Sequence, residues 1–349
     1  MEDLIFPQKV HFLPHTYAKK DSGLVYAPHR LVESVCTPQI ISNIRENPKS
    51  KQAFILAGGN QHFAGINPRK IKETQLSYVY KFLPFTLTQV YAGRLAQMMG
   101  ISDLIQTDAS ACASSLKVMF DVQTLIRHYG FDRVVVLGVE DAVSNSVLEF
   151  FGEAKAILTP QDEENGVLPS AFDNKNYGFH VAQGAVLAVF EAEPQENTIA
   201  ALRHSWNASE KSTNAIGQNA TGEGFSKAIR GCVDQGLDPE AITVVKTHGT
   251  GTKSNNEAEK AALDGLNSHF VATSFKPKIG HTMGASGLLE TILLLENMRN
   301  GLVPEIPNRT VDDDVYLSHP VAAPKGLVLS LAAGMGNIYS AAVFEPMGA

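Results

Sequence analysis

The sequence contains little cysteine. Cys36, Cys112 and Cys232 are the only cysteines among 349 residues, and they lie far apart. An odd number of widely spaced cysteines argues against a disulfide framework and suits a reducing compartment. Zinc ligand sets usually include a closely spaced pair, and none exists here. The composition therefore argues against both a disulfide scaffold and a structural zinc site.

Other features that the sequence lacks narrow its location and partners. No apolar run approaches the ~20 residues of a membrane span. Residues 1–7 carry acidic side chains where a signal peptide needs basic ones. The net charge of −7 argues against nucleic acid as the main partner. We expect a cytoplasmic protein that binds neither membrane nor nucleic acid.

The apolar pattern alternates between short buried strands and amphipathic helices. This alternation predicts a largely parallel sheet covered on both faces, with ligands at the carboxyl ends of the strands. A polar loop is predicted over 205–223. Strands are predicted at 9–13, 51–57, 133–140, 184–191, 199–203, 241–246, 270–274, 326–331 and 340–345, and helices at 38–47, 86–99, 116–130, 147–158, 224–236, 257–266 and 282–298.

The chain is organised around the stretch Asp108–Leu116, which reads DASACASSL. Cys112 lies on a turn of small residues, between the apolar stretch that precedes it and the helical pattern that follows it. A helix N-terminus offers unpaired N–H groups and partial positive charge, which favour the thiolate. Cys112 is therefore a candidate nucleophile. The alternative is a buried structural cysteine, the commoner role of a lone cysteine.

Two histidines follow predicted strands in the same way as Cys112. His248 comes after the strand at 241–246, and His281 comes after the strand at 270–274. The carboxyl ends of parallel strands share one rim, so all three side chains could meet there. A thiolate with two imidazoles suits acyl transfer, in which histidine donates to an oxyanion or enolate. The alternative for each histidine is an ordinary core or surface side chain.

Four blocks of sequence resemble the β-ketoacyl synthases, the condensing enzymes of fatty-acid and polyketide assembly. They occur in the order found in that family and lie within residues 50–345. The nucleophile block is Asp108–Leu116, and the first histidine block is Thr247–Thr252 with Glu259. The second histidine block is 276–287 with Glu290, and the closing Gly-rich loop is 332–337.

This resemblance implies an α/β fold of the thiolase type. Such a fold has five αβαβα layers built from two similar halves, and the protein is usually a dimer. The N-terminal half would be residues 1–195 and would carry the nucleophile. The C-terminal half would be residues 196–349 and would carry both histidine motifs. The N-terminal half is shorter than is usual in the family, so its first strand and helix are expected to be absent or degenerate.

The resemblance also implies roles for the reacting groups. Cys112 would accept an acyl chain from an acyl carrier protein or from CoA. The N–H groups of Cys112 and Met335 would form an oxyanion hole. His248 and His281 would promote decarboxylation of a malonyl thioester and stabilise the enolate.

Supporting roles follow by the same resemblance. Lys276 would act electrostatically on the second histidine, and Glu290 would hold the network together. Thr250 and Thr252 would bind the phosphopantetheine arm of the carrier, which serves as a substrate carrier, while no cofactor would be bound permanently. Within the basic stretch 67–72, Arg69 and Lys70 would dock the acidic carrier protein. The ordinary interpretation of that stretch is a solvated face.

Several positions depart from the pattern of the family. Asn255-Asn256 stands where Gly-Asp is usual, and Gln183 stands where glutamate is usual. Ala333 and Met335 replace two phenylalanines of the closing loop. These changes spare the nucleophile and both histidines. They bear on gating and chain-length control and favour a member of a specialised pathway.

Three functions fit these observations. The first is a C–C bond-forming acyltransferase that condenses an acyl group on Cys112 with malonyl carrier protein. The second is a non-elongating partner subunit, similar to a chain-length factor, in a heterodimeric synthase. The third is a simple acyl-CoA hydrolase or acyltransferase. A thiolase would need a further cysteine after Cys232, and a chain-initiating synthase of the Cys-His-Asn type would have asparagine at His281.

Overall fold

A ten-stranded mixed sheet forms the framework of the protein. The computed structural model describes residues 3–13, 27–58, 88–173, 178–211, 216–266 and 269–347. The strands of this sheet are β1 (Asp3–Leu13), β2 (Gln52–Ala57), β3 (Leu104–Asp108), β4 (Arg133–Glu140), β5 (Gln183–Glu191), β6 (Ala200–Ser209), β7 (Ile242–Lys246), β8 (Val271–Thr273), β11 (Leu327–Gly334) and β12 (Ile338–Pro346). A separate pair consists of β9 (Leu302–Val303) and β10 (Val321–Ala322).

The strand order repeats from one half of the sheet to the other. The first half runs β1-β5-β4-β2-β3 and the second runs β6-β12-β11-β7-β8. In each half the first three strands of this order are antiparallel neighbours and the last three are parallel neighbours. The halves join where β1 pairs with β6, from Asp3 opposite Leu202 to Ile5 opposite Ala200. The two halves are therefore alike, as the resemblance predicted.

The prediction of a largely parallel sheet is wrong for its centre. A parallel pair needs a crossover, whereas antiparallel strands can be joined by a tight turn. β11 ends at Gly334 and β12 begins at Ile338, which leaves too little chain for a crossover helix. β1 is present in the first half at the position that β6 holds in the second, so the expected loss of the first strand is wrong.

Helices cover both outer faces of the sheet and fill the space between its halves. They are α1 (Ala27–Val35), α2 (Pro38–Glu46), α3 (Thr88–Met98), α4 (Ser114–Lys117), α5 (Met119–Tyr129), α6 (Asn145–Glu153), α7 (Pro160–Glu164), α8 (Glu223–Asp234), α9 (Lys253–Leu263), α10 (Lys276–Ile279) and α11 (Ser286–Arg299). Within the described ranges, no helix has the length and apolarity that crossing a bilayer requires.

Three buried clusters define the layers. In the central cluster, α4, α5 and α11 pack between strands of both halves, for example Leu116 and Leu288 with Val136 and Val328. A second cluster packs α1, α2 and α3 on the first half, and a third packs α8 and α9 on the second. The order of layers is therefore helix, sheet, helix, sheet, helix. This confirms the thiolase-like fold.

Some element boundaries differ from the predictions. β6 continues to Ser209 into the predicted loop, because residues 205–209 pair with β12, as in Trp206 opposite Ala341. Helix α9 begins at Lys253 with a polar first turn that shows no apolar periodicity. The predicted boundary between residues 195 and 196 falls in the segment between β5 and β6. The division of the chain into two units there stays a prediction.

Candidate active site

Cys112 lies on a strained turn at the carboxyl end of β3. Ala111 has a φ of 48°, a conformation that alanine rarely adopts, and the 3₁₀ turn 111–113 leads directly into α4. The Ser110 N–H donates to the Ser114 hydroxyl over 2.9 Å and to the Asp108 carboxylate over 3.1 Å. Backbone strain of this kind persists where the surroundings over-determine it, and it clusters at functional sites.

The Cys112 thiol is protonated in the free protein at neutral pH. Its side chain is buried, and burial raises its pKa to about 12, although the positive charge of Lys276 opposes this shift. A buried thiolate loses its hydration, which outweighs the favourable field of the helix N-terminus. The backbone N–H of Cys112 lowers this pKa, in the direction expected for the turn, but burial has the larger effect.

His248 and His281 lie side by side. Their ring centroids are 5.6 Å apart and their planes meet at 82°. Burial, followed by the positive charge of Lys276, holds the pKa of both imidazoles well below the usual 6.5, so both are neutral at pH 7. Both Nδ1 atoms are buried and lack a hydrogen-bond partner among the described residues. Leaving buried polar atoms without hydrogen bonds costs free energy, so a bound group is expected to supply the missing hydrogen bonds.

The segment after residue 178 fixes the position of His281. The His281 N–H donates to the His180 carbonyl over 2.7 Å, and the Ala182 N–H donates to the His281 carbonyl over 3.0 Å. The Phe179 ring packs edge-on against the imidazole at 5.0 Å between centroids. These contacts come from the first half of the chain, whereas His281 belongs to the second.

A buried ion-pair network lies beneath the histidines. Lys276 pairs with Glu290 at 2.8 Å and donates to the His248 carbonyl over 2.5 Å. Lys246 lies 3.4 Å from the same carboxylate and donates to the Leu331 carbonyl over 2.8 Å. The sequence reasoning missed Lys246. The signal was present, since a lysine that ends an apolar central strand needs a buried partner.

A second carboxylate holds the backbone at the first histidine. Glu259 accepts the N–H groups of His248, at 2.5 Å, and of Gly249, at 3.0 Å. Burial raises its pKa to about 7, although these hydrogen bonds act in the opposite direction. The Asn255 side-chain oxygen accepts the Thr250 N–H over 2.9 Å. Asn255 therefore stabilises the loop in a position where the family usually has another residue.

The predicted reacting groups line one cavity of about 570 Å³. Its lining includes Cys112, His248, His281, Thr250, Thr252 and Met335. Lys276 and Glu290 do not line it and are buried next to it. Gly334 lets the closing loop approach the nucleophile turn, because a Cβ there would lie 2.5 Å from the Ser110 carbonyl oxygen. Arg69 and Lys70 lie outside the described residues.

The remaining wall of the cavity has an apolar part and a polar part. Phe151, Phe179 and Ala333 line the apolar part, and Gln218 and Ser254 lie on the polar part. Over the described residues, histidine, cysteine and carboxylate side chains form no cluster of three or more that could hold a metal ion. The arrangement offers a nucleophile, two neutral hydrogen-bonding rings and apolar space beside them, which suits acyl chemistry.

Comparison with known families agrees with this geometry. The N-terminal domain of β-ketoacyl synthases matches residues 42–195, and the C-terminal domain of the same enzymes matches residues 200–310. Together these matches cover most of the chain. The protein belongs to the β-ketoacyl synthase family.

Individual relatives are distant. An oxytetracycline polyketide putative β-ketoacyl synthase 1 from Streptomyces rimosus is 27% identical over 286 residues, which are 78% of this chain and 66% of that protein. A 3-oxoacyl-[acyl-carrier-protein] synthase 2 from Vibrio cholerae is 26% identical over 264 residues, 73% of this chain and 62% of that protein. The chain thus spans just under two thirds of the length of these curated relatives.

Solved structures share the fold at low identity. A type II polyketide synthase acyl-carrier protein in complex with its ketosynthase, bound to the hexaketide, gives a TM-score of 0.77 at 18% identity and covers 92% of this chain and 86% of that one. A ketosynthase in complex with its chain length factor from Xenorhabdus doucetiae gives a TM-score of 0.75 at 18% identity. The match covers 99% of this chain and 96% of that one. These likenesses support the architecture described above.

Proposed function

We propose that the protein catalyses a decarboxylative Claisen condensation between an acyl group on Cys112 and a malonyl thioester of an acyl carrier protein. The observation that carries this proposal is the single cavity that holds the Cys112 thiol beside two neutral imidazoles, His248 and His281. The product is a β-ketoacyl thioester. The altered closing loop favours a specialised fatty-acid or polyketide pathway.

In the first step Cys112 takes the acyl group from its carrier. The Sγ atom forms a bond to the thioester carbonyl carbon, and the C–S bond to the carrier breaks. The proton of Cys112 leaves with the departing carrier thiol. The N–H groups of Cys112 and Met335 would hold the developing oxyanion, as expected for donors aimed at charge that forms in the transition state.

In the second step the malonyl group loses its carboxylate. The C–C bond to the carboxylate breaks, carbon dioxide leaves, and the electron pair becomes an enolate on the thioester. His248 and His281, both neutral, would donate hydrogen bonds to the enolate oxygen. The enolate carbon then bonds to the acyl carbonyl carbon, and the C–S bond to Cys112 breaks. The released thiolate takes a proton from solvent water.

The lysine and carboxylate network would tune this site from behind the histidines. Burial, followed by the positive charge of Lys276, lowers the pKa of both imidazoles, which keeps them as neutral donors. Glu290 would hold Lys276 and Lys246 in place. Neither charged group needs to touch the substrate for these effects, because electrostatic interactions are strong where water is excluded.

The proposed substrates come on a phosphopantetheine arm. Thr250 and Thr252 line the cavity, and their hydroxyls lie 3.0 Å apart, so they would hydrogen-bond the amides of that arm. The carrier would be an acyl carrier protein or CoA, with Arg69 and Lys70 as a docking site. We also propose that the protein is cytoplasmic and forms a dimer, either with a second copy of itself or with a related subunit. It would hold no permanently bound cofactor.

Mass spectrometry of the acylated protein tests the nucleophile. The intact chain should be labelled at Cys112 by an acyl thioester and by a cysteine-directed inhibitor, and Cys112→Ala should lose both labels. Cys36 and Cys232, which are also buried, serve as internal controls. Labelling at either of these instead would remove the nucleophile assignment. Turnover without malonyl consumption would indicate a hydrolase or a simple acyltransferase.

A second candidate function is the non-elongating partner subunit. Ala333 and Met335 in the closing loop favour it, whereas the intact Cys112 with both histidines argues against it. The assay compares condensation by the purified chain alone with condensation after adding candidate partner synthases. Activity of the chain alone, lost in Cys112→Ala, eliminates the partner-subunit function.

A further inference from the structure

The side chain of Met283 lies directly on the Cys112 thiol. Its Sδ atom is 3.8 Å from the Cys112 Sγ atom, and the residue is 1% exposed. Met283 belongs to the turn that follows His281, so the second half of the chain supplies it. The proposed chemistry does not use it. Since any acyl chain on Sγ must occupy space beside the sulfur, Met283 competes for that space.

The backbone at Met283 makes its long side chain unexpected. Its φ is 44°, in the left-handed region where glycine is the usual residue and other residues carry strain. The corresponding residue in the first half, Ala111, has a φ of 48° and a one-carbon side chain. A strained position that retains a long, buried side chain against a thiol indicates that the side chain itself has a purpose.

Apolar residues pack against the pair of sulfur atoms. Cys112 and Met283 belong to one buried cluster with Ala142, Val147 and Val181. The cavity reaches Cys112 and the neighbouring ring of Phe179, but Met283 is absent from its lining. The Met283 side chain therefore fills the apolar space that adjoins the thiol. If the side chain were shortened, that space would join the cavity and would be lined by aliphatic groups, which suit an alkyl chain.

We propose that Met283 determines acyl-chain specificity, because its thioether closes the apolar space beside the Cys112 thiol and so limits the length of the chain that the thiol accepts. This inference rests on the proposed acyl transfer to Cys112. Methionine is suited to such a position, since its flexible, polarizable side chain fills irregular gaps. Shortening Met283 to alanine removes three heavy atoms, and the accepted chain should lengthen by roughly that number of carbons.

The test measures acylation of Cys112 across a series of acyl-N-acetylcysteamine thioesters, from acetyl to dodecanoyl, by intact mass and peptide mapping. Met283→Ala should raise the ratio of long-chain to short-chain acylation by about tenfold or more, the discrimination expected for a methylene in an apolar pocket. Met283→Leu should return the preference toward that of the unmodified chain. Met283→Gly suits the observed φ and provides a second truncation that keeps the fold.

Met99→Ala is the matched control, because Met99 is also fully buried but belongs to the cluster on the outer face of the first half. It should leave the chain-length preference unchanged. If both truncations of Met283 are acylated with the preference of the unmodified chain, the role of Met283 is overturned while the proposed function stands. If Cys112 is acylated in none of the proteins, the proposed function is overturned, and this inference with it.

Discussion

The two halves of the molecule contain the same strained backbone turn but place different side chains on it. In the first half a residue with φ of 48° opens the 3₁₀ turn 111–113, and α4 follows at Ser114. In the second half a residue with φ of 44° opens the turn 283–285, and α11 follows at Ser286. The second residue of the turn is Cys112 in one half and glycine in the other. The shared fold supplies the strained turn, and only the first half places the proposed nucleophile on it.

The lysine–carboxylate pair beside the nucleophile turn is more exposed than the pair beneath the histidines. In the first half, Lys117 pairs with Asp108 at 2.5 Å, and their side chains are 29% and 13% exposed. In the second half, Lys276 pairs with Glu290 at 2.8 Å, and their side chains are 1% and 0% exposed. A fully buried pair is strongly coupled to its surroundings, whereas a partly exposed pair is screened more by solvent. The second half therefore supplies the buried ion pair of the site.

The strongest test of this division separates acylation from decarboxylation. His248→Ala and His281→Ala should each lower malonyl decarboxylation and condensation by about 10²–10⁴-fold, the usual value of a positioned donor or acid–base group. Acylation of Cys112, which belongs to the first half, should persist. Radiolabelled carbon dioxide release and intact mass measure the two steps separately. Equal loss of both steps would contradict separate roles for the thiol and the two histidines.

The ion pairs provide the next test. Glu290→Gln leaves Lys246 and Lys276 buried without their carboxylate, and should lower the free energy of unfolding by about 3–5 kcal/mol. Asp108→Asn, the matched change in the first half, should cost less than about 1 kcal/mol. Urea denaturation followed by circular dichroism measures both. Similar costs for the two variants would show that burial does not distinguish the pairs.

The contact between the halves is a third test. A Cβ on Gly287 of α11 would lie 2.7 Å from the Leu116 Cβ of α4, so these helices approach closely in the central layer. Gly287→Ala should therefore lower the free energy of unfolding by about 1–3 kcal/mol through overpacking. Gly152→Ala, at a helical glycine with open space around it, is the control. Equal stability of the two variants would contradict the close contact.

The last test concerns the reactivity of the Cys112 thiol, on which removal of the Lys276 charge is the smallest predicted effect. Because the pKa of Cys112 is raised to about 12, its thiolate fraction, and with it the rate of iodoacetamide labelling, should rise about tenfold per pH unit between pH 7 and 10. Lys276→Met removes the charge that lowers this pKa and should slow labelling several-fold at a given pH. A Cys36→Ala/Cys232→Ala background isolates Cys112. A plateau near pH 8 would contradict the raised pKa.

Much of the framework could be predicted from local pattern. The continuous apolar run at Arg133–Glu140 forms β4 with the predicted bounds, since a strand buried on both faces leaves a clear signal. The polar end of β6 differs from the predicted loop, because its pairing with β12 arises only in the sheet. The antiparallel centre differs from the predicted parallel sheet for the same reason, since strand direction depends on the connections between elements and not on the strands themselves.

The primary structure is enough to indicate which side chains could do the chemistry, because a cysteine and two histidines each follow a predicted apolar strand. Their protonation and solvation follow only from the three-dimensional packing. The Cys112 thiol is buried, both imidazoles are neutral, and Met283 from the other half lies on the sulfur. The reason is that solvation and charge at a site depend on every group packed around it, and here those groups come from distant parts of the chain.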